Sequence, residues 1–308
     1  MSKNKHKSGY IAIIGKPNAG KSTLMNRILK QKISITTHKP QTTRHQILGI
    51  HSEENMQIIF LDTPGIINPK YELQKAMMRM VDRARKDADF ILFIVDVDDA
   101  DIPGRLFSTF KSMQKPVALV INKVDQVTDE EARSVAEKVQ AEHDFAETHF
   151  ISALNGRGVS DLMDAVKDRL PPGPPFYPKD MLSEQPVRFF VAELVREQLF
   201  LQFHQELPYS CTVDIIQYDE RDDLDYINAE VIVNRESQKG MLIGKGGKAI
   251  KKLGKNSRET IEKFLDKKIY LDLHVKVRDK WRDNPGMVNN FGYWFYQRWF
   301  LLIINHRY

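Results

Sequence analysis

Residues 10–23 read Tyr10-Ile11-Ala12-Ile13-Ile14-Gly15-Lys16-Pro17-Asn18-Ala19-Gly20-Lys21-Ser22-Thr23. The stretch opens as an apolar run suited to a buried strand. It then passes through a glycine-punctuated loop into a helical pattern over Ser22–Leu29. The loop fits G-x-x-x-x-G-K-[S/T], and the flanking strand and helix are the context that motif requires. Glycines at 15 and 20 let the backbone approach phosphate oxygens with no Cβ in the way. Successive amides and the helix N-terminus face the anion. Lys21 can reach the β- and γ-phosphates, and the Ser22 hydroxyl can ligate Mg²⁺. Lys16, Pro17, Asn18, Ala19 and Thr23 complete this candidate nucleotide loop.

On the C-terminal side, to residue 170, the same alternation continues. Apolar runs at Gln57–Leu61, Phe90–Val95, Val117–Ile121 and Thr148–Ile151 suit parallel strands. Helical patterns lie between several of them: Leu73, Met77, Met80 and Val81 at three- and four-residue spacing, then Glu130–His143 and Val159–Leu170. Strand–helix alternation predicts a doubly wound α/β domain with a mostly parallel sheet covered on both faces.

Two further motifs sit at strand ends of this frame. Asn122-Lys123-Val124-Asp125 follows Val117–Ile121. A carboxylate at Asp125 can accept from guanine N1–H and the 2-amino group. Adenine offers neither donor and would leave the carboxylate unpaired, a difference worth orders of magnitude. The stem of Lys123 can lie over the base plane. Asp62-Thr63-Pro64-Gly65 ends the strand Gln57–Leu61. Asp62 can hold Mg²⁺ through water, and the Gly65 N–H can sense a γ-phosphate. In the loop Pro40-Gln41-Thr42-Thr43-Arg44, one threonine can complete the Mg²⁺ shell, and Thr43 is favoured over Thr42. Lys21, Thr43 and Gly65 are therefore the candidate catalytic groups, with GTP or GDP and Mg²⁺ as ligands. Ser22, Thr43 and Asp62 form the candidate metal set.

The chain has 308 residues, enough for two domains with cores of their own. Apolar residues make up 42% and charged residues 28%, an ordinary globular balance. The formal net charge of +5 allows a polyanionic partner without demanding one. A single cysteine, Cys211, excludes a disulfide framework and a cysteine-based metal site, and fits a reducing cytosolic compartment. The basic N-terminus lacks a signal peptide's apolar core. No uncharged apolar run reaches the roughly 20 residues a membrane-spanning helix needs.

Pro171-Pro172-Gly173-Pro174-Pro175, with Pro178 close behind, can neither continue a helix nor fill a central strand. It reads as a semi-rigid linker. The second half then opens with a helix over Val191–Leu207. Strands at Cys211–Gln217 and Asn228–Asn234 follow, separated by the acidic loop Asp219–Asp225. A glycine-rich stretch Gly240–Gly247 and a lysine-rich helical segment to about Lys268 come next, with Gly254 separating two helices. A last strand is Ile269–Val277. This α+β order of helix, strand, strand, helix, helix, strand matches the bacterial-type (type II) KH fold. Gly244-Lys245-Gly246-Gly247 fits its G-x-x-G loop, which clamps single-stranded RNA. Ile243, the four loop residues, Lys248, Lys251 and Lys252 are the candidate RNA-binding set. From Lys239 to Arg258 the chain carries six lysines, one arginine and no acid. Such cations give salt-dependent affinity for phosphates.

Taken together, Gly15–Thr23, Pro40–Arg44 and Asp62–Gly65 resemble the Era branch of translation-associated GTPases, which also join an N-terminal GTPase to a C-terminal KH domain. The resemblance runs to about Gly292. It implies a P-loop NTPase domain over 1–172 and a KH domain over 181–285; the proline-rich linker takes 173–180, and an atypical aromatic tail over 286–308 follows. It implies that Ser152-Ala153-Leu154 contacts the base. It also implies small-subunit ribosomal RNA near the 3′ end as partner, with a role in 30S assembly. A cytoplasmic protein peripherally associated with the inner membrane is expected, and a monomer. Many small GTPases carry a water-orienting glutamine where this chain has Ile66, so hydrolysis should be slow. Relatives with an apolar residue there use K⁺ in some cases, and Asn18 matches the asparagine that helps bind it. The tail containing Trp294, Trp299 and Phe300 departs from the family. The open readings are an extra helix packed on its own domain, a contact with a membrane or partner, and a poorly ordered segment. The alternatives are a GTPase serving tRNA modification and a nucleotide-gated RNA scaffold that barely turns over.

Overall fold

Alternation along the first strand decides how the first sheet is covered. Ile11 and Ile13 point to one face and Ala12 and Ile14 to the other, and all are buried. The computed structural model describes residues 6–99, 104, 107, 110 and 115–293. Its strands are β1 (Lys7–Gly15), β2 (Ile47–Glu53), β3 (Met56–Asp62), β4 (Phe90–Asp96), β5 (Val117–Asn122) and β6 (Glu147–Ile151). They form a sheet in the order β2-β3-β1-β4-β5-β6. The pairs β1–β3, β1–β4, β4–β5 and β5–β6 are parallel, as expected. β2 was not legible in the sequence and runs antiparallel to β3.

Helices α1 (Lys21–Leu29), α2 (Glu72–Asp87), α3 (Asp129–Gln140) and α4 (Val159–Arg169) cover the faces. Leu24 and Met25 of α1 and Leu162 and Val166 of α4 pack on the face of Ile11 and Ile13. Val81 and Ala84 of α2 and Ala132, Ala136 and Val139 of α3 pack on the other. α3 starts at a reciprocal cap: Glu131 N–H donates to Thr128 Oγ1, and Thr128 N–H donates to the Glu131 carboxylate. The expected doubly wound domain is therefore present.

The proline-rich tract lies along this domain. The buried Gln57 amide oxygen accepts from the Phe176 and Tyr177 amides at 2.7 and 2.9 Å, and its nitrogen donates to the Tyr177 carbonyl. Ser8 Oγ donates to the Pro174 carbonyl, and Ile50 N–H donates to the Leu182 carbonyl at 2.8 Å.

The second half is α5 (Val187–Gln202), β7 (Thr212–Asp219), β8 (Asp225–Val233), α6 (Glu236–Ile243), α7 (Lys248–Leu265) and β9 (Ile269–Val277). β8 is central, antiparallel to β7 and parallel to β9. Val191, Leu194, Val195 and Leu199 of α5, Leu253 and Ile261 of α7, and Ile227, Ala229 and Val231 of β8 make its core. Four expectations need correction. β8 starts three residues earlier than expected, at Asp225, and so shortens the acidic loop. α5 begins four residues earlier and stops at Gln202, because Phe203 is extended and Lys39 donates to the Phe200 and Phe203 carbonyls. Cys211 precedes β7, its thiol donating to the Leu207 carbonyl. Gly254 lies inside a continuous α7. A mid-helix glycine costs roughly 1 kcal/mol against alanine, less than burying Leu253, Ser257 and Ile261 on the same helix provides.

The two halves share apolar surface. Ile35, from the loop after α1, is buried in the core of the second domain, worth roughly 1.5–3 kcal/mol. Leu73, Met77 and Met80 of α2 pack with Trp281, Val288 and Tyr293. The aromatic residues 294–308 lie outside the described residues.

Candidate nucleotide site and nucleic-acid interface

The phosphate loop spans the end of β1 and the start of α1. Gly15 passes so close to β4 that a Cβ there would lie 2.3 Å from the Ile94 carbonyl oxygen. Gly65 presses on the same loop, a Cβ on it falling 2.5 Å from Pro17 N, and Ile66 N–H donates to the Gly15 carbonyl. A cleft above is lined by Asn18, Lys21, Thr36, Thr43 and Gly65 among others. Lys21 Nζ is buried and donates to the Gly15 and Lys16 carbonyls at 3.2 and 2.7 Å. Burial pulls its ammonium down to about 8, with Asp62 opposing.

Ser22, Thr43 and Asp62 converge as expected. Ser22 Oγ lies 2.8 Å from Thr43 Oγ1 and donates to Asp62 Oδ2 at 2.6 Å. Ser34 Oγ donates to the same carboxylate oxygen. The other, Asp62 Oδ1, is buried without a hydrogen-bond partner. Burial pushes the Asp62 carboxyl up, against the Ser22 bond and Lys21. Hydroxyl, hydroxyl and carboxylate oxygens with an orphaned acceptor are a donor set suited to Mg²⁺. Thr42 faces elsewhere: its hydroxyl donates to the Lys39 carbonyl and meets Thr37. Thr63 Oγ1 donates to the Ile13 carbonyl, tying the Asp62–Gly65 turn to β1.

On the base side, Asn122 is buried and acts as a brace. Its Nδ2 donates to the Ala19 carbonyl at 2.7 Å, and its Oδ1 accepts from Ala153 N–H at 2.9 Å. Lys123 takes φ 68 and pairs its ammonium with Asp96. Asp125 is exposed and Ser152 buried, its Oγ accepting from Asn155 N–H. Leu154 is 69% exposed. Sequence reasoning missed Arg27 of α1, which donates to the Ala153 and Leu154 carbonyls and holds that loop. No local pattern marks it, because its partners are some 126 residues distant.

In the second domain Gly244, Gly246 and Gly247 all have positive φ (69, 61 and 73°), and Lys245 sits among them in a single 3₁₀ turn. A Cβ on Gly244 would meet Ala249 Cβ at 2.7 Å, whereas Gly246 and Gly247 face open space. Lys245, Lys248, Lys251 and Lys252 are exposed around this loop, and Ile243 is half-buried. Gln202 of α5 donates to the Ala249 carbonyl just beyond it.

Residues 10–123 match the family described as 50S ribosome-binding GTPase, and residues 206–282 match the KH domain family. The chain is 45% identical to a GTPase Era of Geotalea daltonii over 95% of its own length and all of that protein. It is 45% identical to a chloroplastic GTPase ERA-like protein of Oryza sativa subsp. japonica, covering 94% of this chain and 70% of that one. Its structure resembles that of Era in complex with MgGDPNP and nucleotides 1506–1542 of 16S ribosomal RNA. That likeness has a TM-score of 0.90 at 38% identity, over 94% of this chain and 100% of the other. With relatives this similar over nearly the whole of this chain, the chain belongs to the Era family of GTPases.

Proposed function

We propose that this GTPase is a nucleotide-dependent switch that binds small-subunit ribosomal RNA near its 3′ end and serves 30S assembly. The observation that carries the reading is the 38% identity, over nearly the whole chain, to an Era seen with MgGDPNP and a 16S ribosomal RNA fragment. The positive-φ glycine loop ringed by exposed lysines supports the RNA half of it.

In this reading Lys21 and the amides of Gly15–Ser22 hold the phosphates. Ser22 and Thr43 ligate Mg²⁺, with Asp62 behind them, and the Gly65 N–H meets the γ-phosphate. The bound ion supplies positive charge to the β- and γ-phosphate oxygens. Asp125 selects guanine, while Leu154 and the Lys123 stem flank the base. Ile66 cannot orient water, so turnover is slow without a partner. K⁺ beside Asn18 belongs to the proposal: the amide nitrogen is spent on the His38 carbonyl at 2.8 Å, and the oxygen end is the kind of ligand K⁺ takes. Ile243, Gly244–Gly247, Lys248, Lys251 and Lys252 clamp the RNA. Cytoplasmic residence as a monomer, with peripheral attachment to the membrane's inner face, completes it. No helix among the described residues is long and apolar enough to cross a membrane.

A tRNA-modification role is disfavoured by Cys211. Burial pushes its thiol up to about 12, far from a reactive thiolate. The test is single-turnover GTP hydrolysis with and without an oligonucleotide of the 16S 3′ end, in Na⁺ and in K⁺, beside competition binding of ATP against GTP. RNA-stimulated turnover is expected; equal binding of ATP and GTP would overturn the reading.

A further inference from the structure

The loop that brings Thr43 to Ser22 and Asp62 is gripped from its far side by the second domain. Arg196 of α5 is 1% exposed. Its Nη2 donates to the Thr42 carbonyl at 2.6 Å, and its Nε donates to Glu193 Oε1 at 2.8 Å. Glu197, the next residue, accepts Thr36 N–H at 3.0 Å and Lys32 Nζ at 2.6 Å. Arg44 reaches the other way and donates to the Pro208 and Cys211 carbonyls. A buried guanidinium persists only when paired and hydrogen-bonded. Glu193 neutralises this one through Nε and Nη2, and Nη2 also reaches the peptide that immediately precedes Thr43, while Nη1 is buried without a partner. Fixing that peptide fixes where the Thr43 hydroxyl can sit, 2.8 Å from Ser22 Oγ.

We propose that Arg196, in the RNA-binding half, is a positioning residue for GTP hydrolysis. Held against Glu193, it grips the Thr42 carbonyl and thereby keeps the Thr43 hydroxyl at the metal and γ-phosphate position. The second domain thus completes the hydrolytic centre of the first. The inference rests on the reading of Thr43 as a Mg²⁺ ligand. GDP has no γ-phosphate to hold the Thr43 loop closed, so the contribution of Arg196 falls on the triphosphate state.

The full-length chain tests this with Arg196→Lys, the double variant Glu193→Gln/Arg196→Met and Thr43→Ala. The double variant leaves neither member of the Glu193–Arg196 pair as a lone charge, and Arg44 keeps its bonds to the Pro208 and Cys211 carbonyls. Calorimetry measures GDP and GDPNP binding at a series of Mg²⁺ concentrations. Single-turnover hydrolysis and thermal unfolding accompany it. The expected result is a folded double variant with unchanged GDP affinity. Its Mg²⁺ requirement for GDPNP binding rises about tenfold, the scale of one lost charge-assisted bond, and its turnover at saturating GTP falls. Arg196→Lys recovers part of the loss, because an ammonium still donates to a carbonyl. Thr43→Ala shifts the same quantities. A folded double variant with an unchanged Mg²⁺ requirement, or GDP and GDPNP affinities falling together, overturns the inference while the Thr43 reading stands. An unchanged Mg²⁺ requirement in Thr43→Ala removes that reading and the inference with it.

Discussion

Gly20 lies against Asn122 so closely that a Cβ on the glycine would fall 2.0 Å from the Asn122 amide nitrogen. That approach, at φ 98 for Gly20, lets Asn122 bridge the phosphate loop to the Ala153 loop. Gly20→Ala should abolish nucleotide binding. Asn122→Ala leaves a buried carbonyl and a buried amide unpaired, and should cost about 1–3 kcal/mol. It should weaken GTP and GDP alike. Thermal unfolding and calorimetric titration check both, and a selective loss of GTP alone would contradict the bracing role.

Asp125 makes a sharper claim. Asp125→Asn replaces an acceptor by a group that also donates. GTP affinity should fall by orders of magnitude while XTP, which carries an oxygen at position 2, gains. Competition binding with GTP, XTP and ATP measures this, and retained guanine preference would remove Asp125 from the base site.

His45 gives a pH signature. It stacks on Tyr293 with ring centroids 4.4 Å apart and lies 3.8 Å from Glu193. Burial lowers its pKa to about 4, with Glu193 opposing and Arg196 and Arg44 reinforcing. The folded chain therefore keeps His45 neutral where the unfolded chain, titrating near 6.5, takes up a proton. Its contribution is full above about pH 6.5 and is lost as pH falls toward about 4, by up to about 1.4 kcal/mol per pH unit. Denaturant midpoints at pH 7 and pH 5 should diverge more for the native chain than for His45→Gln. Parallel curves would refute this.

For the lysine-ringed loop, Gly246→Asp should remove RNA binding and leave GTP affinity intact. Replacing Lys251 and Lys252 by alanine should lower the slope of log affinity against log salt by roughly 1.4, at about 0.7 per single-strand phosphate contact. Filter binding across a salt series reads the slope; an unchanged slope would place the RNA elsewhere.

The parts legible in the sequence are those whose meaning is local. Tyr10 to Ser22 carries strand, turn and helix in one continuous run, and Asp62 and Asn122 sit at strand ends that the apolar pattern marks. β2 escaped because Gly49, His51 and Ser52 interrupt its apolar run. Gly254 was misread because a glycine's local preference was overridden by burial of its neighbours. The partners of Arg27, Arg44 and Arg196 were invisible, since each reaches a backbone carbonyl more than a hundred residues away. Carbonyls carry no sequence signature, so the joint between the halves appears only in three dimensions.

The bond from Ile50 N–H to the Leu182 carbonyl, with Ser183 Oγ donating to the Leu48 carbonyl, has a further consequence. β2 is a terminal strand of its sheet, and such strands offer bare backbone groups as a template for other chains. Residues 182 and 183 occupy that template. A chain cut after residue 170 should lose this shield and expose the β2 edge to pairing with other chains, which the tract joining the two halves otherwise covers.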